Sequence, residues 1–107
     1  MAGAILISEN NGVSLKSLDF DYIIEKIRPH FGVDEDLVRE EIYSPVDDGG
    51  MSFISLKEQN DDGFNAFFRA ASIVYESELR EQPLSARRSS WDELMMALRS
   101  DPRAEKF

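Results

Sequence analysis

The sequence contains no cysteine and a single histidine, and these scarcities exclude several kinds of functional site. Without cysteine there is no disulfide framework, no thiolate metal site and no cysteine nucleophile. His30 is the only imidazole, so a two-histidine metal site cannot be built and a Ser-His-Asp triad finds no complete set of partners. We therefore expect a protein that is not an enzyme and that carries no metal or other cofactor.

Basic residues are also scarce, since 12 Lys and Arg face 21 Asp and Glu and give a net charge of −9. Binding to nucleic acid or to anionic membranes depends on basic side chains, so we expect neither as a direct partner. No apolar run approaches the length that spans a bilayer, and the N-terminal residues lack the basic lead of a signal peptide. The chain is predicted to act in the cytoplasm.

The acidic residues that are present are concentrated in one part of the chain. The first 62 residues carry 14 Asp and Glu against 5 Lys and Arg, whereas the remaining 45 carry 7 of each. Such a segment repels itself and attracts positively charged partners at a salt-dependent rate. We predict an acidic face, within residues 34–62, that meets a basic protein. In the alternative, arginines of the C-terminal half pair with these acids inside the fold and cancel the face.

Tyr43 stands among these carboxylates, at the predicted end of a short helix. An exposed aromatic ring with a charged rim is typical of an interface anchor. A buried ring with its hydroxyl at the surface is the alternative. The predicted partner-binding residues are Asp34, Glu35, Glu40, Glu41, Tyr43, Asp47, Asp48, Asp61 and Asp62.

The length of 107 residues is typical of one domain, and we expect residues 1–107 to form a single unit. A β-hairpin is predicted near the N-terminus, with a first strand over 4–8, a turn at Asn11-Gly12 and a second strand over 13–17. From Asp19 the apolar residues recur at helical spacing as far as Phe31. A second helix is predicted over 35–43, with Leu37, Val38 and Ile42 turned inward, and a loop over 44–50.

In the rest of the chain, a strand-like segment is again followed by segments with helical spacing of the apolar residues. A strand is predicted over 51–57, a long helix over 63–82 that ends at Pro83, and a linker over 82–90. Ser90 and Glu93 then predict a capping box for a last helix. The order predicts an α+β fold, a small antiparallel sheet packed with about four helices, and a mainly helical bundle is the alternative.

The run Ile42-Tyr43-Ser44-Pro45-Val46-Asp47-Asp48-Gly49 resembles the tyrosine-proline-acid turn of the immunity proteins that neutralise nuclease bacteriocins. The resemblance implies a non-catalytic protein that covers a basic nuclease toxin. It also implies that the toxin is contacted by Tyr43, Asp47 and Asp48. Supporting contacts would come from Asp34, Glu35, Glu40 and Glu41. The general character is similar, too, to that of immunity proteins against contact-dependent toxins and of viral inhibitors that mimic DNA.

The leading hypothesis is therefore a tight inhibitor, monomeric before it binds a basic partner such as a nuclease toxin. One alternative is a regulatory or assembly module that exposes Phe64, Phe67 and Phe68 of the long helix to another helix. A second alternative is an enzyme in which paired carboxylates bind magnesium, manganese or calcium.

Overall fold

A three-stranded sheet and four α-helices make up the computed structural model, which describes residues 2–81 and 86–105. The strands are β1 (Ala2–Ser8), β2 (Asn11–Lys16) and β3 (Phe53–Ser55). The helices are α1 (Ser17–Ile27), α2 (Asp36–Asp47), α3 (Asp61–Glu81) and α4 (Arg88–Arg99). Two short 3₁₀ turns, Arg28–His30 and Val33–Glu35, connect α1 to α2. The predicted α+β class is confirmed.

β1 and β2 form the predicted antiparallel hairpin, in which Ile5 lies opposite Val13. The turn falls at Glu9 and Asn10. Asn11-Gly12 was the expected turn, but these two residues already belong to β2 and pair with β1. The hairpin is therefore confirmed and its turn is two residues earlier than predicted.

The sheet is mixed, because its order is β2-β1-β3 and β1 runs parallel to β3. Ala4 pairs with Phe53 and Leu6 pairs with Ser55. The prediction of a wholly antiparallel sheet is wrong on this point. Two helices lie between β2 and β3, so the chain leaves the sheet and returns to the end at which β1 begins. β3 thus starts at the end of the sheet where β2 stops, which makes it antiparallel to β2 and parallel to β1.

The core lies between one face of the sheet and the helices. Ile5, Ile7 and Ile54 of the sheet are fully buried, and α3 contributes Phe64 and Phe67, which are fully buried as well. α2 packs against β3 and α4 packs against β2, so these two helices lie at opposite edges of the sheet. Within the described ranges, no helix is long and apolar enough to cross a membrane.

The phenylalanines of α3 belong to this core. Phe64 and Phe67 are fully buried and Phe68 is 4% exposed, and all three belong to the hydrophobic core of the fold. The alternative in which this helix face binds another protein is therefore wrong.

Helix α2 is longer than predicted, because it continues through Pro45 to Asp47. Pro45 has no N–H to donate to the Glu41 carbonyl four residues earlier, and a proline ring crowds that carbonyl, so the helix continues only one further turn or less beyond it. The helix ends where Gly50 adopts a left-handed φ of +62°, and the Met51 N–H donates to the Pro45 carbonyl at 2.8 Å. The loop predicted over 44–50 thus begins only after Asp47.

Helix α4 begins at Arg88, inside the predicted linker. Ser90 lies within the helix, and its hydroxyl donates to Asp19 Oδ2 at 2.9 Å. The predicted capping box is therefore wrong, since this hydroxyl connects α4 to α1. Residues 82–85, which include the predicted helix end at Pro83, lie outside the described residues.

Candidate functional site

The solvent-facing side of α2 and of the turn before it carries most of the predicted partner-binding carboxylates. α2 turns Ile42 and Tyr43 into the core, so the positions on its opposite side face water. Its exposed carboxylates, together with Asp34 from the preceding turn and Asp48 directly after the helix, form what we call the α2 acidic face. Its members are Asp34, Asp36, Glu40, Glu41, Asp47 and Asp48.

Asp61 and Asp62 lie on a different element, in the first turn of α3. Carboxylates at this position interact favourably with the helix dipole. The segment before α3 is connected to α2, because Gln59 Nε2 donates to Glu41 Oε1 at 2.8 Å. The two aspartates thus have a local structural role in addition to their predicted role in binding.

Asp47 forms a bidentate ion pair with Arg28 within the fold. Arg28 Nη1 donates to Asp47 Oδ2 at 2.8 Å, and Arg28 Nη2 donates to Asp47 Oδ1 at 3.0 Å. The same guanidinium binds Glu25 through two further hydrogen bonds. The hydrogen bonds from Arg28 lower the pKa of Asp47. The pKa of Arg28 is raised, first by its hydrogen bond to Asp47 and then by its bond to Glu25.

Tyr43 is a core residue rather than an exposed anchor. Its side chain is fully buried, and its hydroxyl donates to the Ile24 carbonyl at 2.6 Å. The Arg28 guanidinium lies 4.3 Å from the centre of its ring, and the Phe31 ring meets it edge-on. Burial raises the pKa of the Tyr43 hydroxyl. The interpretation of Tyr43 as an exposed anchor is wrong, because its position on α2 faces α1, where its hydroxyl satisfies a carbonyl.

Glu35 fixes the N-terminal end of the face. Its carboxylate accepts a hydrogen bond from Arg69 Nη1 at 2.8 Å and another from the Gly32 N–H at 2.7 Å. Partial burial opposes ionisation of this group, but the two hydrogen bonds outweigh it and the pKa of Glu35 is lowered. Glu35 therefore connects the turn before α2 to α3.

The alternative in which arginines of the C-terminal half pair with the acids holds at one position, because Arg69 of α3 pairs with Glu35 at 2.8 Å. Two further arginines of the C-terminal half pair elsewhere. Arg103 pairs with Asp101 at 2.8 Å and Arg88 pairs with Asp92 at 3.6 Å, both within the C-terminal half. Among residues 2–81 and 86–105, Asp34 and Glu40 form no ion pair. The α2 acidic face is thus neutralised only in part, mainly at Asp47.

Two exposed apolar residues on this face were missed by the sequence analysis. Val33 is 90% exposed and Leu37 is 80% exposed, although Leu37 was expected to point inward. Leu37 and Ile42 are five positions apart, which corresponds to about 140° around a helix. Because Ile42 is buried, Leu37 must face water, and helical geometry applied to these two residues would have revealed it.

A shallow depression near the end of α2 is lined by Arg28, Arg39, Glu40, Asp47 and Asp48. Two of these residues, Arg28 and Asp47, already form an ion pair with each other. Within the described part of the chain, no three His, Cys, Asp or Glu side chains are grouped so that they could hold a metal ion.

The Arg28–Asp47 pair leads to a pH-dependent prediction. The pKa of Asp47 is lower in the folded state than in the unfolded chain, where an aspartate has a pKa of about 3.9. The ion pair therefore stabilises the fold fully above about pH 3.9. This contribution is lost as the pH falls through the pKa that Asp47 has in the folded state. Asp47→Asn is expected to lower the free energy of unfolding by roughly 1 kcal/mol at pH 7, a small effect because solvent screens a side chain that is 41% exposed.

Urea unfolding at pH 7 and at pH 3 measures this contribution. The difference between Asp47→Asn and the unaltered protein should shrink at pH 3, because this pH lies below the pKa of about 3.9 at which an aspartate of the unfolded chain takes up a proton. Asp48→Asn is the control, because Asp48 is exposed and its hydrogen bond comes from Ser44 within the same helix. A difference that stays constant across this range would show that the ion pair is not its cause.

Comparison with known proteins finds similarity along nearly the whole chain. No protein-family model matches the sequence. The curated protein "Immunity protein CdiI" of Burkholderia pseudomallei is 31% identical over 103 residues, which cover 96% of this chain and 94% of that protein. A chain in the solved structure "CdiA-CT toxin from Burkholderia pseudomallei E479 in complex with cognate CdiI immunity protein" matches with a TM-score of 0.88 and 30% identity. The match covers 95% of this chain and 98% of that chain.

Proposed function

Because the chain belongs to the CdiI immunity protein family, we propose that it neutralises a CdiA-CT toxin by binding directly to it. The observation that carries this conclusion is the similarity in both sequence and fold over at least 95% of the chain. Immunity proteins act as inhibitors rather than as enzymes. The resemblance to immunity proteins noted from the sequence is confirmed in the contact-dependent form.

The chemistry of the partner is a further part of the proposal. The net charge of −9 and the partly neutralised α2 acidic face favour a basic toxin surface. Nucleases provide such a surface, because they bind phosphate through lysine and arginine. A nuclease toxin acting in the cytoplasm accordingly fits this protein, whose lack of cysteine suits a reducing compartment.

Neutralisation is tested with the cognate toxin, defined as the CdiA-CT protein that the tagged chain captures from its native host and that is then produced in recombinant form. Expression of this toxin should arrest growth, and co-expression of the chain should restore it. The purified proteins should form a stoichiometric complex whose formation is faster at low salt. A toxin that stays active when saturated with the chain would contradict neutralisation by binding.

The nuclease assignment is tested separately. The purified toxin should degrade RNA or DNA, and an equimolar amount of the chain should stop the degradation. A toxin that binds and is neutralised but leaves nucleic acids intact would overturn the nuclease assignment and leave the immunity function standing.

A further inference from the structure

We propose that Val33 and Leu37 are the apolar anchor through which the α2 acidic face holds the toxin. The pair would enter an apolar depression that lies within a basic region of the toxin surface. This inference rests on the proposed function, because it names the contact through which that function is exerted.

The exposure of the pair is the first observation. Burial of a valine or leucine side chain stabilises a fold, yet Val33 and Leu37 are 90% and 80% exposed. The same helix packs its other apolar residues, since Ile42 is buried and Val38 and Val46 pack against the core. The two exposed residues thus offer apolar surface that the fold itself does not use.

The position of the pair is the second observation. Val33 and Leu37 are four positions apart in the turn and helix that carry the α2 acidic face. Residues three and four positions apart are neighbours on a helix surface, which places Glu40 and Glu41 beside Leu37. Single exposed apolar residues are common on protein surfaces, but an apolar centre within a charged rim is the composition of an interface hot spot.

The rigidity of the support is the third observation. Glu35 lies between Val33 and Leu37 in the sequence, and its carboxylate is held by hydrogen bonds from Arg69 and from the Gly32 N–H. At the other end of α2, Arg28 holds Asp47 and covers the ring of Tyr43. An anchor carried by a helix that is fixed at both ends loses little conformational freedom on binding.

The charge around Val33 and Leu37 indicates which molecule binds to them. A second copy of the chain would place its own Asp34, Glu40 and Glu41 against the same residues, and repulsion between like charges opposes such a contact. The rim instead complements a basic surface, and the family identifies the partner as a toxin. The molecule that binds Val33 and Leu37 is therefore the toxin rather than another copy of the chain.

The proposal predicts that Val33→Ala/Leu37→Ala mainly accelerates dissociation. With the cognate toxin as the probe, the dissociation rate should rise at least about tenfold, because truncating an interface anchor weakens the formed complex. The association rate should change less than about threefold at each salt concentration, since no charge is altered. Both rates are measured by surface plasmon resonance, with thermal unfolding to verify that the variant is folded.

A matched control is available on other parts of the surface. Leu18 and Met96 are 83% and 71% exposed, and Leu18→Ala/Met96→Ala removes a similar amount of exposed apolar surface from α1 and α4. This control should dissociate at the unaltered rate.

The possible outcomes separate the inference from the proposed function. If the folded Val33→Ala/Leu37→Ala variant dissociates as slowly as the unaltered protein, the anchor is wrong and the immunity function stands. If both double variants dissociate equally faster, the effect is not specific to the pair and the anchor is also wrong. If the unaltered chain binds no toxin, the proposed function and the anchor fall together. Self-association that only Val33→Ala/Leu37→Ala abolishes would assign the pair to a second copy instead.

Discussion

Arg103→Ala is expected to lower the free energy of unfolding by about 3–5 kcal/mol, the largest loss of stability that we expect from changing one charged residue. The guanidinium donates to three backbone carbonyls, those of Ile7, Leu56 and Gln59, at 2.7–2.8 Å. These carbonyls belong to the end of β1 and to the segment that follows β3. A single side chain from the C-terminal segment therefore connects the end of β1 to the segment that follows β3.

The surroundings of Arg103 explain why its loss is so unfavourable. Asp101, whose side chain is 4% exposed, accepts from Arg103 Nε at 2.8 Å and from Nη2 at 2.9 Å. The guanidinium lies 4.5 Å from the centre of the Phe64 ring. Alanine would leave the Asp101 carboxylate buried without its cation, which is the costly way to disrupt a buried pair. It would also remove one donor from each of the three carbonyls, of which that of Leu56 keeps a bond from the Gln59 N–H at 3.1 Å.

Urea unfolding of three variants tests this role. Arg103→Lys keeps the positive charge but not the planar guanidinium with its several N–H donors. It is therefore expected to recover only part of the stability that Arg103→Ala loses. Arg99→Ala is the control, because its side chain is exposed and lies over Tyr75, and its effect should stay within about 1 kcal/mol. An Arg103→Ala variant as stable as Arg99→Ala would show that this network contributes little to the fold.

The sequence predicted well those features that depend on neighbouring residues. The stripe of Phe20, Ile23, Ile24 and Ile27 predicted α1, and all four residues are buried. The hairpin followed from two short β-prone runs on either side of a polar turn. In both cases the pattern that specifies the element lies within the element itself.

Features that depend on distant residues could not be predicted in this way. Arg103 binds the carbonyl of Ile7, 96 positions earlier, and no periodicity or motif connects the two. Asp47 and Arg28 are 19 positions apart, so charge counting identified both residues without showing that they pair. The parallel pairing of β3 likewise depends on how two intervening helices return the chain.

The candidate site was predicted in part, and the reason lies in its helical geometry. Composition identified the acidic segment, and the structure places much of it on one side of α2. Composition does not distinguish inward from outward positions, so it leaves both an exposed and a buried Tyr43 open and predicts an inward Leu37, whereas Tyr43 is buried and Leu37 is exposed. The role of the carboxylates in binding stays a prediction.

Asp34→Lys/Glu40→Lys is expected to slow association with the cognate toxin at least about tenfold at low ionic strength, because electrostatic attraction raises association rates by one to three orders of magnitude. Both side chains are exposed, and neither forms an ion pair within the described residues, so the change alters charge without removing a structural contact. Asp47 is unsuitable for this purpose, since its replacement would also release Arg28.

The salt dependence identifies the cause of any slower association. Salt screens charges over a length of about 10 Å at 0.1 M, so the rates of the variant and the unaltered protein should converge as salt is added. Glu9→Lys/Glu93→Lys changes the net charge by the same amount at exposed positions in the β1–β2 turn and on α4. If this control slows association equally, the toxin senses the overall charge rather than the α2 acidic face. If only Asp34→Lys/Glu40→Lys slows association, while Val33→Ala/Leu37→Ala alters only dissociation, the rim attracts the toxin and the apolar pair holds it.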